Sequence, residues 1–276
     1  MTAEALWDFN DPDLVAAIDE LPLWSAPFGE VLLETIHLRP GLRVLDIGSG
    51  LGFPALEMAQ RLGSGSEVFA LDPWRAGGDR LRLKMRQYGV SNVTVAEGVA
   101  ERMPFEDASF DLITSNNGLN NVQDLRQAWR ECRRVAKPGA QAVITENLPG
   151  TMQEFYGCFK DTLLDLGFPE LLPAVDAHIY SKRKPLEETR EIITANGFRI
   201  ESEKRRDFLM RFLDGTAMLR SFLIRLAFLP SWKALVPEDD RDRVFQEVEA
   251  DLNHLASDKG ELALTIPFVC LDSRKA

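Results

Sequence analysis

The sequence contains few of the residues on which several classes of protein depend. Its 276 residues include only three histidines and three cysteines, Cys132, Cys158 and Cys270. Three scattered cysteines are too few for a disulfide framework or a zinc site, and they fit a reducing compartment. We therefore predict a fold that needs neither metal nor disulfides. Cys132 shares a helical face with apolar residues and is expected to pack in the core.

Basic charge and long apolar runs are also scarce. The chain has 32 Lys and Arg residues against 43 Asp and Glu residues, which gives a formal net charge of -11. This charge repels a phosphate backbone, so nucleic acid is not expected as a partner. The longest apolar-rich stretch, 222–229, is interrupted by Arg225 and is too short to span a membrane. The first residues lack the pattern of a secretory signal, so a cytoplasmic location is expected.

The most informative stretch is a glycine-rich turn between a predicted strand and a predicted helix. Strand-forming residues 44–47 lead into Gly48, Gly50 and Gly52, and Pro54 precedes apolar residues at helical spacing. Glycine lets a backbone approach a ligand closely, and a helix start offers unpaired N–H groups. Phe53 stands where a dinucleotide-binding G-x-G-x-x-G motif has its third glycine, which disfavours an NAD-dependent or nucleotide-sugar enzyme.

Strand and helix patterns alternate along the first half of the chain. Apolar periodicity predicts strands at 43–47, 67–72, 93–97, 111–115 and 141–146, with helices at 54–62, 77–87 and 122–136. Such alternation is typical of a parallel α/β sheet with helices on both faces, which binds ligands at the carboxyl ends of its strands. The glycine turn lies at one such end. Asp72 closes the next strand about 20 residues later, where an acid can bond a ribose diol.

Three further motifs follow in order, and together they resemble a known family. They are Gly98-Val99-Ala100-Glu101-Arg102-Met103-Pro104-Phe105, Ser109-Phe110-Asp111 and Arg134-Val135-Ala136-Lys137-Pro138-Gly139-Ala140. With the glycine turn and Asp72, they resemble the class I S-adenosylmethionine-dependent methyltransferases, and among these the small-molecule group that includes the ubiquinone/menaquinone C-methyltransferases. The resemblance implies a Rossmann-like, mostly parallel seven-stranded sheet and methyl transfer from S-adenosylmethionine to a small organic molecule. The alternative is a non-catalytic S-adenosylmethionine-binding regulator or partner subunit.

The resemblance covers residues 41–147 well and suggests how the remainder is organised. We predict an N-terminal cap at 1–40, the cofactor-binding core at 41–147, a pocket roof at 148–185, and the end of the core sheet at 186–276. Strand six begins at Phe198 and the last strand spans 262–271, with a helical insertion at 213–260 between them. Insertion helices at 216–229 and 239–257 carry apolar stripes. These apolar stripes are consistent with core packing, with a homodimer contact or with a hydrophobic substrate pocket.

The resemblance also assigns residues to the cofactor. Asp46 would face its amino group and Asp72 its two ribose hydroxyls. Val99 departs from the family, which often has an acid there for the adenine amino group, and the loss is on the order of 1 kcal/mol unless backbone groups compensate. Asn116 and Asn117 fit either ligand binding or a polar turn. The full set of predicted cofactor contacts is Asp46, Gly48, Ser49, Gly50, Gly52, Asp72, Pro73, Trp74, Val99, Ala100, Glu101, Asn116 and Asn117.

Methyl transfer from a sulfonium requires alignment and exclusion of water more than it requires a base. A base is needed only when the acceptor arrives protonated with a high pKa, and His178 and Glu146 are the candidates. The other two histidines, His37 and His254, are expected to be structural or on the surface.

Substrate contacts are predicted at Trp24, Phe28 and Tyr180. Trp24 and Phe28 lie in a proline-broken segment, 21–29, which would either pack on the sheet or cover cofactor and substrate. The basic run at 182–184 would either be a solvated face or attract an acidic group of the substrate.

Overall fold

The computed structural model describes residues 7–20 and 24–276. Those residues form one seven-stranded sheet in the order β3-β2-β1-β4-β5-β7-β6. Its strands are β1 (Arg43–Ile47), β2 (Glu67–Asp72), β3 (Val93–Glu97), β4 (Phe110–Asn116), β5 (Ala136–Asn147), β6 (Phe198–Phe212) and β7 (Leu262–Lys275). Neighbouring strands are parallel from β3 to β5, whereas β7 is antiparallel to β5. The predicted mostly parallel α/β sheet is confirmed.

Twelve α-helices accompany the strands in the described part of the chain. They are α1 (Pro12–Asp19), α2 (Ala26–Thr35), α3 (Ala55–Leu62), α4 (Arg75–Tyr88), α5 (Leu125–Val135), α6 (Gln153–Asp165), α7 (Leu172–Lys182), α8 (Leu186–Ala195), α9 (Gly215–Arg220), α10 (Phe222–Ala227), α11 (Leu229–Lys233) and α12 (Arg241–Lys259). None of these helices is long and apolar enough to cross a membrane.

The chain divides into two compact units. The first contains the described residues up to Asn147 together with Pro185–Arg206 and Phe268–Ala276, and its core lies along the central strands. Strand β4 is buried along nearly its whole length, as expected for a parallel strand covered on both faces. Helix α5 buries Trp129 and Cys132 completely, and burial raises the pKa of the Cys132 thiol to about 12. The predicted core position of Cys132 is confirmed.

Part of the predicted N-terminal cap packs on this unit, while residues 1–6 and 21–23 lie outside the described residues. Asp11 caps α1 by accepting a hydrogen bond from the Asp13 backbone N–H. At the other end of α1, the Asp19 carboxylate pairs with Arg80 at 2.8 Å and Lys84 at 2.6 Å, both on α4. These bonds fix α1 on the helix that follows Asp72.

The second compact unit consists of Leu148–Lys184 and Asp207–Pro267. The single helix predicted at 216–229 is wrong, because this region forms three short helices. Ser221 is extended, with φ -63° and ψ 142°, and Pro230 lies in the first turn of α11. Helix α7 was not predicted, since Val175 is its one buried residue and no apolar stripe marks it in the sequence. That residues 148–185 roof a pocket stays a prediction.

Candidate functional site

The glycine turn follows the carboxyl end of β1, and its glycines have different structural roles. A Cβ on Gly48 would lie 2.9 Å from the Cα of Gly118, and a Cβ on Gly52 would lie 2.4 Å from a methyl carbon of Leu81. These two glycines therefore permit close packing of the turn. Gly50, with φ +48°, differs from both, because a Cβ built on it would meet no atom of the described residues within 4 Å. Gly50 is the position where the turn leaves space beside its backbone.

Asp72 is fixed against this turn by two backbone hydrogen bonds. Its Oδ2 accepts from the Gly50 N–H at 2.9 Å, and its Oδ1 accepts from the Trp74 N–H at 2.8 Å. Strand register places Ile47 opposite Leu71, so the ends of β1 and β2 are adjacent. A carboxylate oxygen can accept two hydrogen bonds, so each oxygen keeps one acceptor site. The side chain is thus held in place and can still accept from a pair of hydroxyls.

Asp46 is a buried carboxyl group at the end of β1. It is 1% exposed, and its Oδ1 accepts from the Thr114 hydroxyl at 2.8 Å. Its Oδ2 has no partner among the described residues. Burial raises its pKa from 3.8 to about 7, and Asp72 adds to the rise, whereas hydrogen bonding from the Thr114 hydroxyl and, to a smaller extent, from the Ala55 backbone opposes it. A buried oxygen without a donor is unfavourable, so a cationic donor here would be stabilised.

Asn116 and Asn117 both make hydrogen bonds within the protein. The Asn116 side chain donates to the Ser25 carbonyl at 3.0 Å and accepts from the Thr145 hydroxyl at 2.9 Å. Asn117 has φ +56°, and its side-chain oxygen accepts from the Asn147 N–H at 3.1 Å. These bonds account for both residues as parts of a polar turn. Their predicted contact with a cofactor stays a prediction.

Sequence reasoning missed several members of this polar group. Thr114 lies opposite Asp46 in the register of β1 and β4, and it is a polar residue at a fully buried position of its strand. That polarity was the signal available in the sequence. Asn147, which also accepts a hydrogen bond from the Asn120 side chain, gave no such signal because its partners come from a different strand end.

The loop after β3 contains an exposed apolar residue and a carboxylate that already accepts hydrogen bonds within the protein. Val99 is 44% exposed, whereas Ala100 is buried. The Glu101 carboxylate accepts from the backbone N–H groups of Gln123 at 2.8 Å and Asp124 at 3.2 Å, immediately before α5. The Glu101 side chain therefore holds the start of α5 in place.

Trp74, Pro73 and Ser49 complete the predicted cofactor set. Trp74 donates its indole N–H to the Phe9 carbonyl at 2.8 Å, and the Phe9 ring meets it edge-on. Pro73 is exposed and Ser49 is buried. The structure thus brings Asp46, the glycine turn and the residues that follow β2 to one edge of the sheet, and it places the N-terminal segment beside them.

Helix α2 also lies directly against the glycine turn. A Cβ on Gly29 would be 2.2 Å from a ring carbon of Phe53 and 3.3 Å from the Asn116 side-chain nitrogen. Its neighbour Phe28 is fully buried, with ring centroids 4.7 Å from Phe268 and 5.5 Å from Trp24. Core packing therefore accounts for Phe28, and the substrate contacts predicted for Phe28 and Trp24 stay predictions.

The two candidate bases belong to different compact units. Glu146, in the first unit, is 8% exposed and accepts from the Thr189 hydroxyl at 3.2 Å, while its Oε1 has no partner among the described residues. Burial raises the pKa of Glu146 from 4.5 to about 7. His178 lies on α7 in the second unit, where partial burial lowers its pKa, as do the charges of Arg183 and Lys182.

The remaining candidates are on the surface. Tyr180 is 46% exposed, and the Lys184 ammonium lies 4.7 Å above its ring centroid. His37 and His254 are both exposed, as expected of structural or surface residues.

Residues 45–144 match the sequence profile of a family described as a methyltransferase domain. The ubiquinone/menaquinone biosynthesis C-methyltransferase UbiE of Idiomarina loihiensis is 35% identical over 136 residues, which are 48% of this chain and 54% of that protein. The demethylmenaquinone methyltransferase of Anoxybacillus flavithermus is 32% identical over 135 residues, covering 46% of this chain and 56% of that protein. The chain therefore spans about half the length of the curated relatives it matches.

Two solved structures are similar in fold across most of the chain. A putative methyltransferase from Bacillus halodurans has a TM-score of 0.61 at 18% identity and covers 90% of this chain and 98% of its own. The YcgJ protein of Bacillus subtilis has a TM-score of 0.59 at 19% identity and covers 91% and 98%. At this level of identity the likeness shows the fold, which agrees with the predicted family resemblance.

Proposed function

We propose that this chain, whose residues 45–144 match a methyltransferase domain family, transfers a methyl group from S-adenosylmethionine to a small organic molecule. The observation that carries the proposal is the arrangement at the ends of β1 and β2. Among the described residues, no atom fills the space beside the Gly50 backbone, each Asp72 oxygen accepts one backbone hydrogen bond, and the buried Oδ2 of Asp46 has no donor. The names of the curated relatives support the same reaction class.

The residues at this edge fit the chemistry of the cofactor. Asp72 would accept hydrogen bonds from the two ribose hydroxyls, because each of its oxygens already has one backbone bond and can take a second. Asp46 would pair with the positively charged amino group. Its pKa is about 7, so the carboxyl group is only partly ionised at neutral pH. A cation bound beside it would favour the ionised form.

The bound cofactor supplies a methyl group that is already activated by the sulfonium. The protein must therefore hold the acceptor in line and exclude water, and these tasks need no metal and no covalent intermediate. If the acceptor arrives as a phenol or an enol, Glu146 is the group we favour to take its proton. Its buried Oε1 lacks a partner among the described residues, and its pKa is about 7, close to that of an effective base at neutral pH.

Two glycine-to-alanine variants distinguish a loss of cofactor binding from the effect of backbone strain alone. Gly50→Ala places a methyl group in the space beside the turn, and we expect it to abolish binding of S-adenosylmethionine and S-adenosylhomocysteine in calorimetric titration. Gly41→Ala is the matched control, because Gly41 also has a positive φ, +73°, and no atom of the described chain lies within 4 Å of its Cβ position. Both changes cost about 1 kcal/mol of stability. Equal binding by the two variants would contradict the proposed cofactor site.

Transfer itself is tested with a metabolite extract and methyl-labelled S-adenosylmethionine. Mass spectrometry should find a labelled small molecule with the unsubstituted protein and none with Gly50→Ala. Binding of the cofactor without any labelled small molecule would instead support the non-catalytic alternative or a macromolecular acceptor.

Two predictions about partners rest on the sequence. The absence of a nucleic acid partner is inferred from the net negative charge, and the homodimer is inferred from the apolar stripes of the insertion helices.

A further inference from the structure

The second compact unit buries a guanidinium group that has no acidic partner among the described residues. Arg183 caps the end of α7 and is 4% exposed. Its Nη1 donates to the Tyr156 hydroxyl at 3.2 Å, and its Cζ lies 5.5 Å from the centroid of the Tyr156 ring. No carboxylate of the described residues is within ion-pair distance of Arg183, and its Nε has no hydrogen-bond partner among them. The positive charge is therefore buried with a phenol as its main contact.

The edge of this guanidinium that makes no hydrogen bond to a described residue is the one suited to an oxyanion. In arginine the Nε–H and one N–H of Nη2 point in the same direction and form a fork that matches a carboxylate or a phosphate. Tyr156 occupies Nη1, on the opposite side of that fork. Neither Nε nor Nη2 of Arg183 donates a hydrogen bond to a described residue. The Nε and Nη2 edge is thus left for a partner outside the described chain.

Buried aromatic packing holds Tyr156 in position for this role. The Tyr156 hydroxyl also accepts from the indole N–H of Trp232 at 3.0 Å. Trp232 is fully buried and stacks on Phe155 with ring centroids 3.8 Å apart. A hydroxyl that accepts two hydrogen bonds from fixed donors cannot easily turn away. Arg183 is therefore oriented before any ligand arrives, which lowers the entropic cost of binding one.

The charge around Arg183 is positive as well. Lys182 and Lys184 flank it in the sequence, and the charges of Arg183 and Lys182 contribute to the lowered pKa of His178, whose ring centroid is 6.3 Å from that of Tyr156. The basic run at 182–184 was expected either to be solvated or to attract an acid. Lys182 is exposed, as a solvated face requires, but Arg183 is not. Burying a cation without a counter-charge is costly, and a contact with an aromatic ring offsets part of that cost.

We infer that Arg183, held by Tyr156, binds an anionic oxygen group, either a carboxylate or a phosphate, of an organic ligand. The second compact unit contains every residue on which this inference depends. The inference does not rest on methyl transfer, so the two proposals fail independently.

Binding is tested with two simple probes, inorganic phosphate and benzoate, added to the full chain. The indole N–H resonance of Trp232, identified by its loss in Trp232→Phe, reports on the site because this N–H donates to Tyr156. We expect saturable shifts with a millimolar Kd for at least one probe. Phosphate alone would identify a phosphate ligand, and benzoate alone a carboxylate. No shift with either probe up to about 50 mM would overturn the inference, and an ordered water would then be the partner of Nε.

Two charge-matched variants distinguish the fork from general attraction. Arg183→Gln should weaken binding at least about tenfold, whereas Lys182→Gln, which removes the same charge from an exposed neighbour, should change it less than about twofold. Equal weakening by both would show attraction to the basic run and would overturn the inference. If Arg183→Gln does not fold, Arg183→Lys gives the same test, because lysine keeps the charge but lacks the fork. Unchanged binding by Arg183→Lys would also overturn it.

Discussion

Replacing Asp46 with asparagine should make the protein more stable at alkaline pH while weakening its proposed cofactor binding. The carboxyl group is 1% exposed, and burial raises its pKa from 3.8 in the ordinary state to about 7 in the fold. The unfolded chain therefore ionises Asp46 at a lower pH than the folded protein does. Between these two pKa values the stability contributed at this site falls as pH rises, and above pH 7 the full penalty of about 4 kcal/mol is present.

The asparagine variant removes this dependence on pH. Asparagine can still accept from the Thr114 hydroxyl, but it leaves an amide N–H₂ group without an acceptor, at a cost of about 1 to 3 kcal/mol at every pH. The stability of Asp46→Asn relative to the unsubstituted protein should therefore improve by about 3 kcal/mol from pH 5 to pH 8.5. Because Glu146 titrates in both proteins, its own raised pKa cancels from this difference.

Urea unfolding followed by circular dichroism at both pH values measures that difference. A gap between the two proteins that stays within about 0.5 kcal/mol from pH 5 to pH 8.5 would refute the raised pKa of Asp46. A change in the opposite direction would mean that a cation stabilises the ionised carboxylate in the fold. In the same preparations, S-adenosylmethionine should bind the variant about 10 to 100 times more weakly, because a charge-assisted hydrogen bond to the amino group is lost.

Two further changes test the neighbourhood of the site. Val99→Asp should strengthen S-adenosylmethionine binding by up to about tenfold in calorimetry. Val99 is 44% exposed, so an acid there can accept a hydrogen bond from the adenine amino group at little cost of burial. Val99→Ala should give no gain, and a gain with alanine would contradict the reasoning. Gly29→Ala should lower thermal stability by about 1 to 3 kcal/mol, because its Cβ would lie 2.2 Å from the Phe53 ring and must displace it from the glycine turn. Gly157→Ala on α6 is its control, because no atom of the described residues lies within 4 Å of a Cβ built there. We expect that change to stabilise the helix by up to about 1 kcal/mol. Equal melting temperatures for the two variants would disprove close packing at Gly29.

The sequence by itself determined the parts of this protein that depend on neighbouring residues. The strands at 43–47, 67–72 and 93–97 were predicted with the bounds that the structure has, because each is a short run of strand-forming residues bounded by turns. The turn from Gly48 to Gly52 and the acid that ends the next strand could also be identified, since each is a local pattern. Helix α7 could not, because it presents almost no apolar stripe to the core.

Tertiary structure alone decided what each polar group at the site does. Asp46 owes its raised pKa to burial, with a hydrogen bond from Thr114, 68 residues away, and Asn116 is occupied by the carbonyl of Ser25, 91 residues away. Within a run of three basic residues, packing buried Arg183 and left Lys182 exposed. Local patterns specify where the chain turns and which residues are apolar. Burial and hydrogen-bond partners depend on segments that meet only after folding, and these set the charge and the availability of each side chain.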